Sequence, residues 1–253
     1  MRYLLILLLI ITLQAAEDKN ESSKQKITLG FGPYIQSQPY KGVDDLILPS
    51  PVIFYDNGIF YIRWSRFGVY FLGEKKSDYA WGFSLTAQPR TLGYKSTDSK
   101  ELNGMEDRES SFEGGLAFSA SYHDKEYIEI MLLHDLLDRN KAWLARCEIG
   151  DEFKAGDFTF YPSVVGIYQS EKFLDYYYGV KESESTLTRP AYSANDGFEF
   201  GIQTYIRYPL TTNLSTLVNL RYDILAKSAQ DSPLVEDNYI YSGLLSLIYT
   251  FKY

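Results

Sequence analysis

Apolar and polar residues alternate along most of the chain, segment after segment. The last segment shows the period best. Tyr241, Gly243, Leu245, Leu247, Tyr249, Phe251 and Tyr253 fall on one face, and Ser242, Leu244, Ser246, Ile248, Thr250 and Lys252 on the other. Residues 198–208 set Phe198, Phe200, Ile202, Ile206 and Tyr208 against Glu199, Gln203 and Arg207. Residues 214–224 set Leu214, Val218, Leu220, Tyr222 and Ile224 against Ser215, Asn219, Arg221 and Asp223, and 79–88 and 112–122 repeat the pattern. Successive side chains of a strand point to opposite faces, so a period of two predicts strands rather than helices.

The pattern predicts about twelve strands, over 27–35, 51–56, 58–64, 67–73, 79–88, 111–122, 126–134, 142–152, 157–168, 197–208, 214–225 and 240–253. Most approach the ~10 residues that a tilted membrane crossing takes. Short turns at Asp56-Asn57-Gly58, 74–78, Asp124-Lys125, 154–156 and 209–213 alternate with longer segments at 36–50, 89–110, 169–196 and 226–239. Connections 65–66 and 135–141 are not long, and strands three and four are short, so ten is the alternative count. Short turns at one end and long loops at the other are the layout of an outer-membrane barrel, with the long loops outside the cell. The predicted fold is all-β: a transmembrane antiparallel β-barrel over 27–253. A soluble sandwich shares the alternation and is the competing fold.

The first residues change the compartment. Arg2 precedes an apolar run from Leu4 to Leu13, and Gln14-Ala15-Ala16 offers small residues for cleavage. Residues 1–16 therefore read as a signal peptide and 17–26 as a polar lead-in. After Ala16 no stretch approaches the ~20 apolar residues of a membrane helix. A closed barrel is the other structure that satisfies its own backbone in lipid. Composition agrees with a membrane surface: 23 Tyr and 15 Phe, with rings at the ends of the apolar faces, as in aromatic girdles. Lys plus Arg total 25 against 33 Asp plus Glu, a net charge of -8, which argues against a nucleic-acid partner.

Candidate chemistry is sparse. The closing strand ends on Tyr249, Phe251 and Tyr253, an aromatic terminus of the kind the barrel assembly machinery reads. The inward faces carry Glu113, Glu129, Arg146, Glu148, Glu199, Arg207, Arg221 and Asp223. These charges either select solutes in an open lumen or neutralise one another across strands; a barrel of this size favours pairing. The two histidines, in His123-Asp124 and His134-Asp135, sit at strand ends, and adjacent strand residues face opposite ways. No nucleophile–base pair can be read, so the chain is expected to be non-enzymatic, without cofactor or metal. The Pro49-to-Pro51 stretch reads as loop geometry, and Glu182-Ser183-Glu184-Ser185 as a solvated loop. Cys147 shares parity with Trp143 and Ile149 and is expected to face lipid.

Several segments, taken in order along the chain, carry a further signal. They include Gly30-Phe31-Gly32-Pro33-Tyr34, Pro39-Tyr40-Lys41-Gly42-Val43-Asp44-Asp45, Leu48-Pro49-Ser50-Pro51-Val52-Ile53 and Leu102-Asn103-Gly104-Met105. Tyr177-Tyr178-Gly179-Val180, Ala191 to Gly197, Asp231-Ser232-Pro233-Leu234-Val235 and Leu247 to Phe251 continue the series. Together these segments resemble the MipA/OmpV family of outer-membrane proteins, with residues 223–225 fitting its pattern loosely. The resemblance implies an outer-membrane barrel that binds a lytic transglycosylase and bridges it to a peptidoglycan synthase. It leaves a small-solute channel and a surface adhesin, acting through loops such as 169–196, as alternatives.

Overall fold

A computed structural model describes residues 26–252. The predicted signal peptide at 1–16, the lead-in up to residue 25 and Tyr253 lie outside the described residues. Lys26, placed in the lead-in by its polarity, instead opens the first strand.

The strands are β1 (Lys26–Gln36), β2 (Leu46–Asp56), β3 (Phe60–Arg63), β4 (Arg66–Lys75), β5 (Tyr79–Arg90), β6 (Ser111–Tyr122), β7 (Glu126–Asp135), β8 (Trp143–Gly150), β9 (Phe153–Ala155), β10 (Phe158–Gln169), β11 (Gly197–Pro209), β12 (Leu214–Ile224) and β13 (Tyr239–Lys252). Each pairs antiparallel with its neighbours, and β13 pairs back onto β1 from Lys26↔Lys252 to Gln36↔Ser242. β9 continues β8 along the edge of β10 after a break at 151–152, so the closed ring has twelve staves. Closure removes the free edges that lipid would leave unsatisfied, except along upper β2 beside the short β3–β4 hairpin. The alternation follows the wall: Leu245, Leu247, Leu220, Ile202 and Val164 are exposed outward, while Leu244, Ile248, Leu217 and Val165 are buried inward.

β2 departs from the sequence pattern. The prolines predict a loop before residue 51, yet β2 starts at Leu46 and runs through both. Pro33 of β1 faces Pro49. Two facing prolines cannot exchange N–H···O bonds, so Pro49 and Pro51 turn their missing donors away from β1. That side of β2 has no neighbouring strand above Ile53, and proline is tolerated at such an edge.

Turns at one end of the barrel are short, at 57–59, 76–78, 123–125, 156–157 and 210–213. Loops at the other end fold into a cap. The segment predicted as loop over 169–196 contains helix α1 (Glu171–Tyr178), and 226–239 contains the single turn α2 (Lys227–Gln230). Eight residues do not hold a helix in isolation. α1 is held by burying Phe173, Leu174, Tyr177 and Tyr178, each worth about 1.5–3 kcal/mol in apolar burial. They join Tyr40, Leu92, Tyr94, Leu102, Met105, Leu234 and the uppermost inward residues Leu133, Leu144 and Ile167 in one cluster across the barrel mouth.

Candidate functional site

The lumen is crossed at mid-height by side chains from the tip of a wall hairpin. β3 and β4 are joined only by Trp64 and Ser65, and Trp64 holds a φ of 59°. A bulky residue in the left-handed region costs about 1–3 kcal/mol and persists only where its surroundings fix it. Here the Trp64 N–H donates to the Ile53 carbonyl at 2.8 Å, and its indole Nε1 donates to Ser50 Oγ at 2.9 Å. Its ring meets Tyr34 edge-on at 5.5 Å between centroids, and Tyr205 at 6.4 Å. Tyr205 lies on β11, half-way round the twelve-stave ring from the β3–β4 hairpin. The contact therefore runs across the diameter of the barrel.

Charges on either side of the hairpin tip complete the crossing. Arg63 donates to Glu129 of β7 at 3.0 Å, and Arg66 also pairs with Glu129. Arg146 reaches Glu148 at 2.6 Å and lies 3.7 Å from Glu129. Glu148 also accepts from Tyr127 at 2.6 Å and from Gln203 of β11 at 2.7 Å. Nearer the mouth, Arg90 grips Glu113 with two donors and lies over the ring of Phe173 from α1. Arg221 binds Asp223 with two bonds of 2.7 Å.

All eight charges read from the sequence point inward, and the structure pairs six of them: Glu113, Glu129, Arg146, Glu148, Arg221 and Asp223. Glu199 and Arg207 have neutral partners instead. Gln169 donates to Glu199 at 2.9 Å, while Arg207 donates to Ser215 Oγ at 3.1 Å and reaches Thr250 Oγ1 at 3.5 Å. Sequence reasoning missed Arg63, Arg66, Arg90 and Trp64. Arg90 carries a usable signal, since it keeps the inward parity of Gly82, Ser84 and Thr86 beyond the predicted strand end at 88.

The cap has its own buried pair. Glu184, read as solvated, is 4% exposed. Arg108 bonds both its oxygens, at 3.0 and 3.1 Å, and the N–H groups of Glu106 and Lys181 donate to it at 2.8 and 3.0 Å. Burial alone would raise the Glu184 carboxyl; these donors more than offset it and hold the group below the usual carboxylate range. Arg189 ties the same loops together through the carbonyls of Glu101, Asn103 and Glu184. Burial pushes the hydroxyls of Tyr40 and Tyr178 well up, and that of Tyr94 up, so all three stay neutral.

The remaining candidates are dispersed. Tyr249 and Phe251 sit on the outer wall with ring centroids 4.6 Å apart. His123 lies at a short turn and His134 near the opposite end of β7, and His134 Nδ1 contacts the Asp135 carbonyl at 2.8 Å. Asp135 is taken up by Ser111 and by the N–H groups of Leu137, Asn140 and Lys141. Among the described residues, neither histidine is hydrogen-bonded to a serine, threonine or cysteine side chain.

Residues 29–251 match the family model described as MltA-interacting protein MipA. The chain is 30% identical over 237 residues to the MltA-interacting protein of Escherichia coli (strain K12), covering 90% of each chain. It is 26% identical over 234 residues to the putative outer membrane protein YiaT of the same strain, covering 90% of this chain and 92% of that one. Among solved structures, the COG4313 outer membrane channel from Pseudomonas putida F1 has a TM-score of 0.46 at 11% identity, covering 93% of this chain and 98% of that one. The family match begins within β1 and ends within β13, so it takes in the whole ring, and this chain belongs to the MipA family of outer-membrane β-barrel proteins.

Proposed function

We propose that this barrel is a non-enzymatic docking partner for peptidoglycan-remodelling enzymes, held in the outer membrane with its short-turn end toward the cell wall. The observation that carries the reading is the filled lumen. Trp64 and the Arg63, Arg66, Arg146 network span the barrel, and the α1 cap covers its mouth. A barrel so occupied offers surfaces rather than a path. The relative named MltA-interacting protein supports a lytic transglycosylase as one partner. A peptidoglycan synthase as a second partner rests on the family resemblance alone.

The short-turn rim carries exposed charge suited to such contacts, including Lys75 near Asp124 at 3.6 Å and Lys76 on Glu74 at 2.9 Å. Exposed pairs of this kind add little to stability, so they can be changed without unfolding the barrel. Charge reversal at Lys75, Lys76 and Lys154 should weaken recovery of the transglycosylase in a crosslinked pull-down at least several-fold, with an unchanged heat-dependent gel shift. Undiminished recovery would remove the rim from the binding surface. We also propose that Tyr249, Phe251 and Tyr253 form the signal read by the assembly machinery.

A further inference from the structure

The barrel wall is incomplete at one place. β2 and β5 both run past the short hairpin between them. β3 stops at Arg63 opposite Phe54, and β4 meets β5 no higher than Phe67↔Ala87. Val52 and Ile53 thus stand level with Arg90 and Pro89 across the two missing staves, and above them Leu46–Pro51 have no strand beside them. Thr91 Oγ1 donates to Gln36 Oε1 at 2.7 Å and closes the top of the gap; the Trp64–Ser65 turn forms its lower border.

We propose that this gap is a lateral portal in which an acyl chain of a membrane lipid reaches the inner face of β2. Three observations carry it. First, the inner face is open there. Leu48 has inward parity, yet it is 39% exposed, whereas Leu244, in the same row through Tyr34, is 2% exposed. Second, the lipid-side border is apolar, because Gln88 and Arg90 on the β5 side turn inward to Glu113. Ile47, Leu48, Pro49 and Pro51 line one side, and exposed Phe67 stands at the foot of the other. Third, the open edge carries fewer unpaired polar groups than an ordinary strand edge. Pro49 and Pro51 remove two N–H donors that would otherwise be left unpaired in lipid. The height also fits. Ile47 pairs with Ile35, two residues below the level where the Ser37 N–H meets the carbonyl of the girdle residue Tyr241. The portal therefore opens onto the hydrocarbon band rather than the headgroups.

The test uses the full-length protein in vesicles, with Cys147→Ala and a single new cysteine at Leu48, Ile47 or Leu244, each carrying a bimane fluorophore. The quencher is phosphatidylcholine with a nitroxide on its acyl chain, compared with aqueous iodide. Leu48→Cys should be quenched by the lipid to at least half the extent of outward Ile47→Cys, and Leu244→Cys several-fold less. Quenching at Leu48 no greater than at Leu244, or by iodide in preference to the lipid, overturns the proposal. If Leu48→Cys lacks the normal heat-dependent gel shift, Ser50→Cys, the next inward position, is read by the same criteria. The outcome is independent of any enzyme partner, because the portal lies away from the short-turn rim.

Discussion

Arg146 serves two carboxylates, Glu148 at 2.6 Å and Glu129 at 3.7 Å, in a part of the lumen where all three side chains are buried. Removing one partner from such a group leaves charge uncompensated, which costs about 3–5 kcal/mol. Among the described residues, Arg207 has the hydroxyls of Ser215 and Thr250 as its side-chain partners, and losing that kind of contact costs about 1–3 kcal/mol. Arg146→Ala should therefore lower the urea midpoint of the protein in detergent micelles more than Arg207→Ala does. Equal effects would show that the mid-lumen pairs do not act as a network. Glu184 makes a prediction about pH. Its carboxyl is depressed in the folded cap, so its stabilisation is present above the ordinary carboxylate value of about 4.3 and is lost as pH falls through the lower folded value. The near-ultraviolet circular dichroism of the packed cap tyrosines should fall over that acidic range. Glu184→Gln should start lower and lose the pH dependence.

Strands were legible in the sequence because the wall is one residue thick, with lipid on one side and a mixed interior on the other. That boundary writes a period of two, and β6 over 111–122 and β12 over 214–224 match it nearly residue for residue. α1 was not legible. Its four buried residues, Phe173, Leu174, Tyr177 and Tyr178, span two turns amid a long connection, and the helix exists only through contacts with loops distant in sequence. The β3–β4 hairpin was half legible: its shortness was plain, but nothing local marks Trp64 as pointing into the lumen. The inward charges were legible by parity, whereas their partners Arg63, Arg66 and Arg90 depend on how the ring closes. At this scale the closing strand offers its own test. Tyr249→Ala with Phe251→Ala removes two adjacent outward rings from β13 and should reduce the membrane level with degradation before insertion. A normal level and gel shift would mean that β13 is not read through these rings.

At the scale of the whole molecule, the barrel has a capped end and an open rim, and the assignment of function depends on which end faces the cell wall and on whether the interior conducts. Trypsin added to intact cells should cut at exposed cap sites such as Lys100 or Lys181 and spare Lys125 and Lys154 at the short-turn end; the reverse pattern would invert the topology. The central claim is that the lumen is closed by its own side chains. Planar-bilayer conductance of the wild-type protein beside Trp64→Ala tests it most directly. The filled lumen predicts no steady single-channel events in the wild type, and at most brief, small events in Trp64→Ala, because the cap and the Arg63, Arg66 and Arg146 pairs stay in place. Steady wild-type channels, with selectivity moving toward cations when Arg221 loses its charge, would contradict it and make this barrel a pore.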